Sequence, residues 1–244
     1  MHRDRWRGAA RIGPAWAAFR GAAGDNALHA HHAIQAFAGP AAVLADANGA
    51  RAGAGFVVAA DVAHRAEAGF PSAFLYVDPD TNTGRRISAV LGGGTLALAE
   101  SDAGRLEDLV AAAIAGACVD PDAALAALLG TQAPQHGGGR VRDALAAFNE
   151  DAEGLDATAL ARKLGLSPSR VSHLFREEIG IPFRSFLLWS KLKRSLLGVA
   201  RGLSLTDAAH LGGFADSAHF SRTFTRMFGA SPIAITGLLE FDGS

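Results

Sequence analysis

The spacing of hydrophobic and polar positions changes character twice along this chain. From about residue 10 to about residue 100, apolar positions come in short stretches such as 54–60 and 73–77. Turn clusters separate them: Asp46-Ala47-Asn48-Gly49, Asp78-Pro79-Asp80 and Gly92-Gly93-Gly94. Short apolar stretches punctuated by Gly, Pro, Asn and Asp predict β-strands. Between 103 and 129 the period becomes helical, with Leu106, Leu109, Val110, Ala113 and Ile114 on one stripe. Asp120-Pro121-Asp122 interrupts that stripe and predicts the cap of a second short helix running to Leu129. Residues 130–139 hold Pro134 and three consecutive glycines and predict a flexible linker. From Val141 to about Leu239 the pattern is helical throughout.

Within that last stretch one pattern occurs twice. Leu160-Ala161, then Gly165-Leu166-Ser167-Pro168-Ser169-Arg170-Val171-Ser172-His173-Leu174-Phe175-Arg176, is followed downstream by a second copy. That copy is Ala208-Ala209, then Gly213-Phe214-Ala215-Asp216-Ser217-Ala218-His219-Phe220-Ser221-Arg222-Thr223-Phe224. In each copy a glycine sits where two helices turn sharply, a position favouring positive φ. Ser167 and Asp216 are N-cap residue types, and Pro168 stands at a first helical position, where a missing N–H costs nothing. Val171, Leu174, Phe175 and Ile179 predict one buried face; Phe220, Phe224, Met227 and Phe228 predict the other. Between the copies, residues 182–200 predict an amphipathic helix of about 18 residues, hence about 27 Å long. A rigid spacer of that size suits two helices set about one turn of B-DNA, 34 Å, apart.

Composition narrows the classes. Hydrophobic residues make up 49% and charged residues 19%, the balance of a folded chain, and 244 residues suffice for two domains. No apolar stretch reaches bilayer length, and Trp6, Gly8 and Pro14 interrupt the arginine-rich start, unlike a signal peptide. Cys118 is the single cysteine, which excludes an internal disulfide and fits a reducing cytoplasm. The formal charge is −1, with 13 basic against 11 acidic residues from position 140 onward. The asymmetry has the sign a DNA-binding region needs but is small, and it predicts few phosphate contacts and a shallow salt dependence.

The repeated units carry a family resemblance. Residues 140 to 235 resemble the DNA-binding domain of the AraC/XylS transcriptional regulators. The densest part is Asp207-Ala208-Ala209, Gly213-Phe214, Asp216-Ser217, His219-Phe220-Ser221-Arg222, Phe224, then Gly229 and Ser231-Pro232. Such domains usually carry an aromatic–Arg pair shortly after Ser-Pro; Ile235-Thr236 stands here instead. The resemblance implies groove-facing residues Ser169, Ser172 and His173 on the first recognition helix, with Arg170 and Arg176 nearby. On the second it implies Ser217, Ala218, His219, Ser221 and Arg222. Chemically, Arg222 suits a bidentate contact to guanine, and Ala218 suits a thymine methyl.

The N-terminal part offers candidate ligands. His29-Ala30-His31 and Gln35 would share one face of a strand, with His32 on the other, and His64 could join from a later strand. The spacing resembles cupin barrels, where His-x-His, a Glu and a later His hold a divalent metal. Gln35 replaces the Glu here, and the proline usual before the second motif is absent. Imidazole ligands favour zinc, nickel, copper or iron. The same histidines could instead line an empty or organic-ligand pocket, with Gln35 in the effector site.

The resulting expectation is an α+β multidomain protein. It comprises a cupin-like β-barrel sensor domain (1–102), a helical dimerisation or packing segment (103–130), a glycine-rich linker (131–139) and a DNA-binding domain of AraC type with two helix-turn-helix motifs (140–240). The expected function is that of a cytoplasmic, sequence-specific transcription factor, not an enzyme. Double-stranded DNA, a small-molecule or metal effector, a second copy of the chain and RNA polymerase are its expected partners, with no membrane. The alternative is a cupin-type metal-dependent enzyme fused to a helical DNA-binding domain. That leaves the repeated unit without a task and shows no separate catalytic acid or nucleophile. A DNA-repair methyltransferase carrying the same module would need several cysteines, and an interaction scaffold would not need two polar recognition faces.

Overall fold

A computed structural model describes residues 6–13, 15–23, 28–118, 120–131, 157–178, 182–229, 231–233 and 239–241. Residues 132–156, which take in most of the predicted linker, and Ile179 and Ile235-Thr236 fall outside the described residues. Strands β1 (Arg7–Ile12), β2 (Trp16–Ala22), β3 (Ile34–Asp46), β4 (Gly49–Val58), β5 (His64–Glu67), β6 (Ser72–Val77), β7 (Thr95–Leu98) and β8 (Leu239–Phe241) build one sheet. Its order is β7-β4-β3-β6-β2-β1-β8, with β5 on the far half of β3. Neighbours run antiparallel except β8, which adds to β1 in parallel. The path is open, ending in β7 and β8, and is not shown closed into a barrel.

Both faces of the sheet's centre are buried, which explains the continuous rather than alternating apolar runs of β2, the first half of β3, and β6. In β6 all six residues are buried. Phe74 and Tyr76 face one way with Phe19 of β2 and Phe37 of β3; Leu75 and Val77 face the other with Ala18 and Ile34. The second face is covered by α1 (Asn82–Leu91), α2 (Glu100–Ile114) and α3 (Pro121–Leu128). The predicted 103–129 stripe therefore packs onto this chain's own sheet: Leu106, Val110 and Ala113 are fully buried, Leu109 and Ile114 partly so. Helix α1 lies within the stretch expected to be β-structure. Thr81 caps it by accepting from the Gly84 N–H, and a side chain at Gly84 would collide with the Asp78 carbonyl.

The remaining helices are α4 (Ala157–Leu164), α5 (Pro168–Glu178), α6 (Phe183–Ala200), α7 (Leu205–Gly212) and α8 (Ser217–Phe228). Helices α6 and α8 cover the first face of the sheet. Trp189, Leu192, Leu196, Phe220, Phe224 and Phe228 share one core with Trp6, Phe19, Phe74 and Tyr76. Among the described residues no helix is long and apolar enough to cross a membrane.

Candidate nucleic-acid interface and metal centre

Each predicted helix-turn-helix unit forms as expected. In the first, α4 meets α5 through a turn in which Gly165 has φ +66°. Val171 and Phe175 are fully buried with Leu160 and Ala161, and Phe175 packs edge-on against Phe183 at 5.0 Å. Ser169, Arg170, Ser172, His173 and Arg176 all lie on the solvent side of α5. Ser167 accepts from the Arg170 N–H at 3.3 Å, a long cap, and the Ser172 hydroxyl donates back to the Pro168 carbonyl. His173 sits 3.3 Å from Glu177, so its ring is partly committed within the helix.

The second unit is better tied. Ser204 caps α7 by accepting from the Asp207 N–H, and Gly213 closes it with φ +81°. Lys191 and Arg194 of α6 donate to the Gly213 and Gly212 carbonyls, placing cations on the free carbonyl end of α7. Asp216 caps α8 by accepting from the His219 N–H at 2.6 Å, and that bond holds its carboxyl below the usual range. Phe220, Phe224, Met227 and Phe228 form the buried face. Ala218, His219 and Arg222 are exposed, Ser217 and Ser221 half-buried, so the expected reading face is on the outside. The His219 ring also packs edge-on against Phe214 at 5.2 Å. Helix α6, 18 residues long as predicted, joins the two units.

The candidate ligands come together, though not from the expected strand. His29 makes only an isolated bridge to His64, exchanging both backbone hydrogen bonds at 3.0 and 2.8 Å. His31 lies in irregular chain held by the Asp61 N–H on its carbonyl, and β3 begins only at Ile34. His64 opens β5. The ligand-capable nitrogens of His29, His31 and His64 lie within 4.8 Å of one another. His32 points elsewhere, to Asp61 at 3.2 Å.

Hydrogen bonds fix the chemistry of these rings. The Nδ1 atoms of His31 and His64 face the carbonyls of Ala33 (3.0 Å) and Val62 (2.8 Å), so both carry their proton there. Their Nε2 atoms then present lone pairs, and both converge on Gln35 Oε1 at 2.7 and 3.1 Å. Burial lowers the His31 pKa to about 4, with the neighbouring histidines adding to the effect, and burial lowers that of His64 also. These are neutral imidazoles with their lone pairs aimed inward, the form that binds a metal. Gln35 is almost fully buried and stands on the sheet face that α6 and α8 cover.

Sequence reasoning missed what joins the two halves. Trp189 of α6 donates its indole N–H to Asp78 at 2.8 Å, and burial pushes that carboxyl up. The His32 N–H donates to the Arg226 carbonyl of α8 at 2.8 Å. Phe228 packs edge-on against Tyr76 at 5.4 Å. Beside these contacts opens a cleft of about 440 Å³ lined by Asp78, Asp80, Arg184, Ser185, Thr223 and Arg226, among others. The periodicity of α6 and α8 signalled a buried face but not what covers it.

Residues 160–236 match the "Helix-turn-helix domain" family. The chain is 36% identical over 99 residues to the arabinose operon regulatory protein of Salmonella typhimurium, covering 38% of this chain and 34% of that protein. It is 40% identical over 80 residues to the HTH-type transcriptional regulator GlxA of Rhizobium meliloti, covering 32% and 24%. These alignments span between 24% and 34% of the curated relatives' length. Among solved structures, ToxT from Vibrio cholerae aligns over 96% of this chain and 97% of its own, with 11% identity and a TM-score of 0.42.

Proposed function

We propose that this chain, whose residues 160–236 are a helix-turn-helix domain of the AraC/XylS type, is a sequence-specific DNA-binding transcriptional regulator. The carrying observation is that α5 and α8 each bury an aromatic face and leave a polar face with an arginine outside. Helix α6, about 27 Å long at 1.5 Å per residue, lies between them in the chain. Two such helices suit adjacent major-groove segments on one side of the duplex. Arg170, Arg176 and Arg222 supply the cations; Ser169, Ser172, His173, Ser217, Ala218, His219 and Ser221 supply the remaining groove-facing set. The matched relatives are named as regulatory proteins, and the reading as a cupin-type enzyme has no such support.

The β-sheet half serves as the sensor in this reading. His29, His31 and His64 would hold a divalent transition metal, with Gln35 Oε1 as an additional ligand. The donor set fits: neutral imidazoles suit zinc, nickel, copper or iron, and backbone carbonyls already orient two of the rings. Without a cation, the Gln35 amide would have to turn its NH2 toward the two Nε2 lone pairs. A cupin-like barrel, a homodimer and contact with RNA polymerase complete the proposal; since the α2 stripe is buried within the chain, another surface must serve a dimer. The test is selection of bound sequences from random duplex DNA, with and without chelator. Enrichment of a site with two elements about 10 base pairs apart is expected; a pool that stays unenriched would overturn the reading.

A further inference from the structure

The three-histidine cluster has the end of the second recognition helix as one of its walls. A Cβ placed on Gly229, the C-cap of α8, would lie 2.1 Å from His29 Cδ2, 2.3 Å from His29 Nε2 and 3.0 Å from His31 Cδ2. The backbone of α8 thus rests directly on two of the three rings. The residue after His31 grips the same helix turn, through the His32 N–H on the Arg226 carbonyl. One step further, Phe228 lies on Tyr76, and the Tyr76 ring is 5.6 Å from that of His31. Among the described residues no second cluster of this kind occurs.

We propose that a metal held by His29, His31 and His64 locks α8 onto the sheet, so that metal occupancy sets the position of the second helix-turn-helix unit. This rests on the metal reading above. Two physical effects act in the same direction. Ligation immobilises the rings of His29 and His31, which are the surface under Gly229. A cation there also sits beside the C-terminal turn of α8, where the helix dipole presents its negative end. Linkage then makes the effect reciprocal: if metal favours the docked helix, docking raises metal affinity by the same factor.

The experiment uses the full chain stripped by chelator, then loaded with Zn(II) for hydrogen exchange or Co(II) for its visible absorption bands. Loading is expected to slow amide exchange across 217–229, most at the last turn, while 168–178 in the first unit is unchanged. A Trp189→Phe variant keeps an aromatic ring in the core and loses the indole bond to Asp78, and neither residue is a candidate ligand. It should bind Co(II) about tenfold more weakly, within the usual span of coupling between sites. If metal binds but exchange over 217–229 stays the same, and Trp189→Phe binds as tightly as the parent, the coupling is wrong and the metal site stands. If the parent binds no metal, or His31→Ala and His64→Ala variants bind it equally well, the metal reading itself fails. The exchange comparison needs no variant, so misfolding of one would not blunt the test.

Discussion

The two helix-turn-helix units share a sequence pattern but differ in how they are held. The first closes a small core of its own, Leu160, Ala161, Val171, Phe175 and Phe183, which Ala15 joins from the sheet side. The second has no separate core: Phe220, Phe224 and Phe228 belong to one cluster with Trp6, Phe19, Phe74 and Tyr76. Their caps differ likewise, 3.3 Å at Ser167 against 2.6 Å at Asp216. Similar motifs can thus have different mechanical roles. A unit with its own core can shift without disturbing its neighbour. A unit that shares its core reports on whatever changes the sheet, and the histidine cluster lies under that one.

The largest expected effect separates the cores. Removing a buried aromatic ring costs about 3–5 kcal/mol. Phe224→Ala should therefore lower the melting temperature of the sheet half together with the helices, whereas Phe175→Ala should leave the sheet transition in place. Calorimetry of both variants checks this, and identical thermograms would erase the contrast. Next come the reading faces. Arg222→Ala and Arg170→Ala should each cost about 1–3 kcal/mol on the selected site if the guanidinium reads a base edge. Loss confined to the selected site marks base reading; equal loss on random DNA marks a phosphate anchor. The smallest effect tests the caps. Asp216→Ala should lower the unfolding midpoint in denaturant, and Ser167→Ala should lower it less, since its bond is longer. The Asp216 term also has a sign with pH. Its carboxyl is held below the usual range in the folded chain, so its contribution is present above the ordinary carboxylate pKa. It is lost as pH falls toward the native value, and Asp216→Asn should abolish that dependence.

Much of the helical half was legible because its signals are local. A 3.6-residue apolar period, a glycine in each turn and a cap three residues before the N–H it accepts all lie within about a dozen residues of one another. Helix α6 came out at its predicted length for the same reason. The sheet half was harder. Its central strands are buried on both faces, so the period-2 alternation that marks a strand is absent in β6. Helix α1 carries Thr83-Gly84 in its first turn, which reads as loop chemistry; Gly84 is there because the chain passes close to the Asp78 carbonyl. The shared strand face expected for His29, His31 and Gln35 did not form, yet the side chains converge. A backbone bridge between His29 and His64 brings them together instead.

The sequence alone determined the repeated unit, its outward-facing residues and the candidate ligands, because residue type and short-range spacing encode each of them. The tertiary structure decided which surfaces those elements share. Docking of α8 on Tyr76, the Trp189–Asp78 bond and the placement of Gly229 against His29 join residues more than a hundred positions apart. No local period records such a pairing; it follows only once both apolar faces of the sheet have found something to bury them.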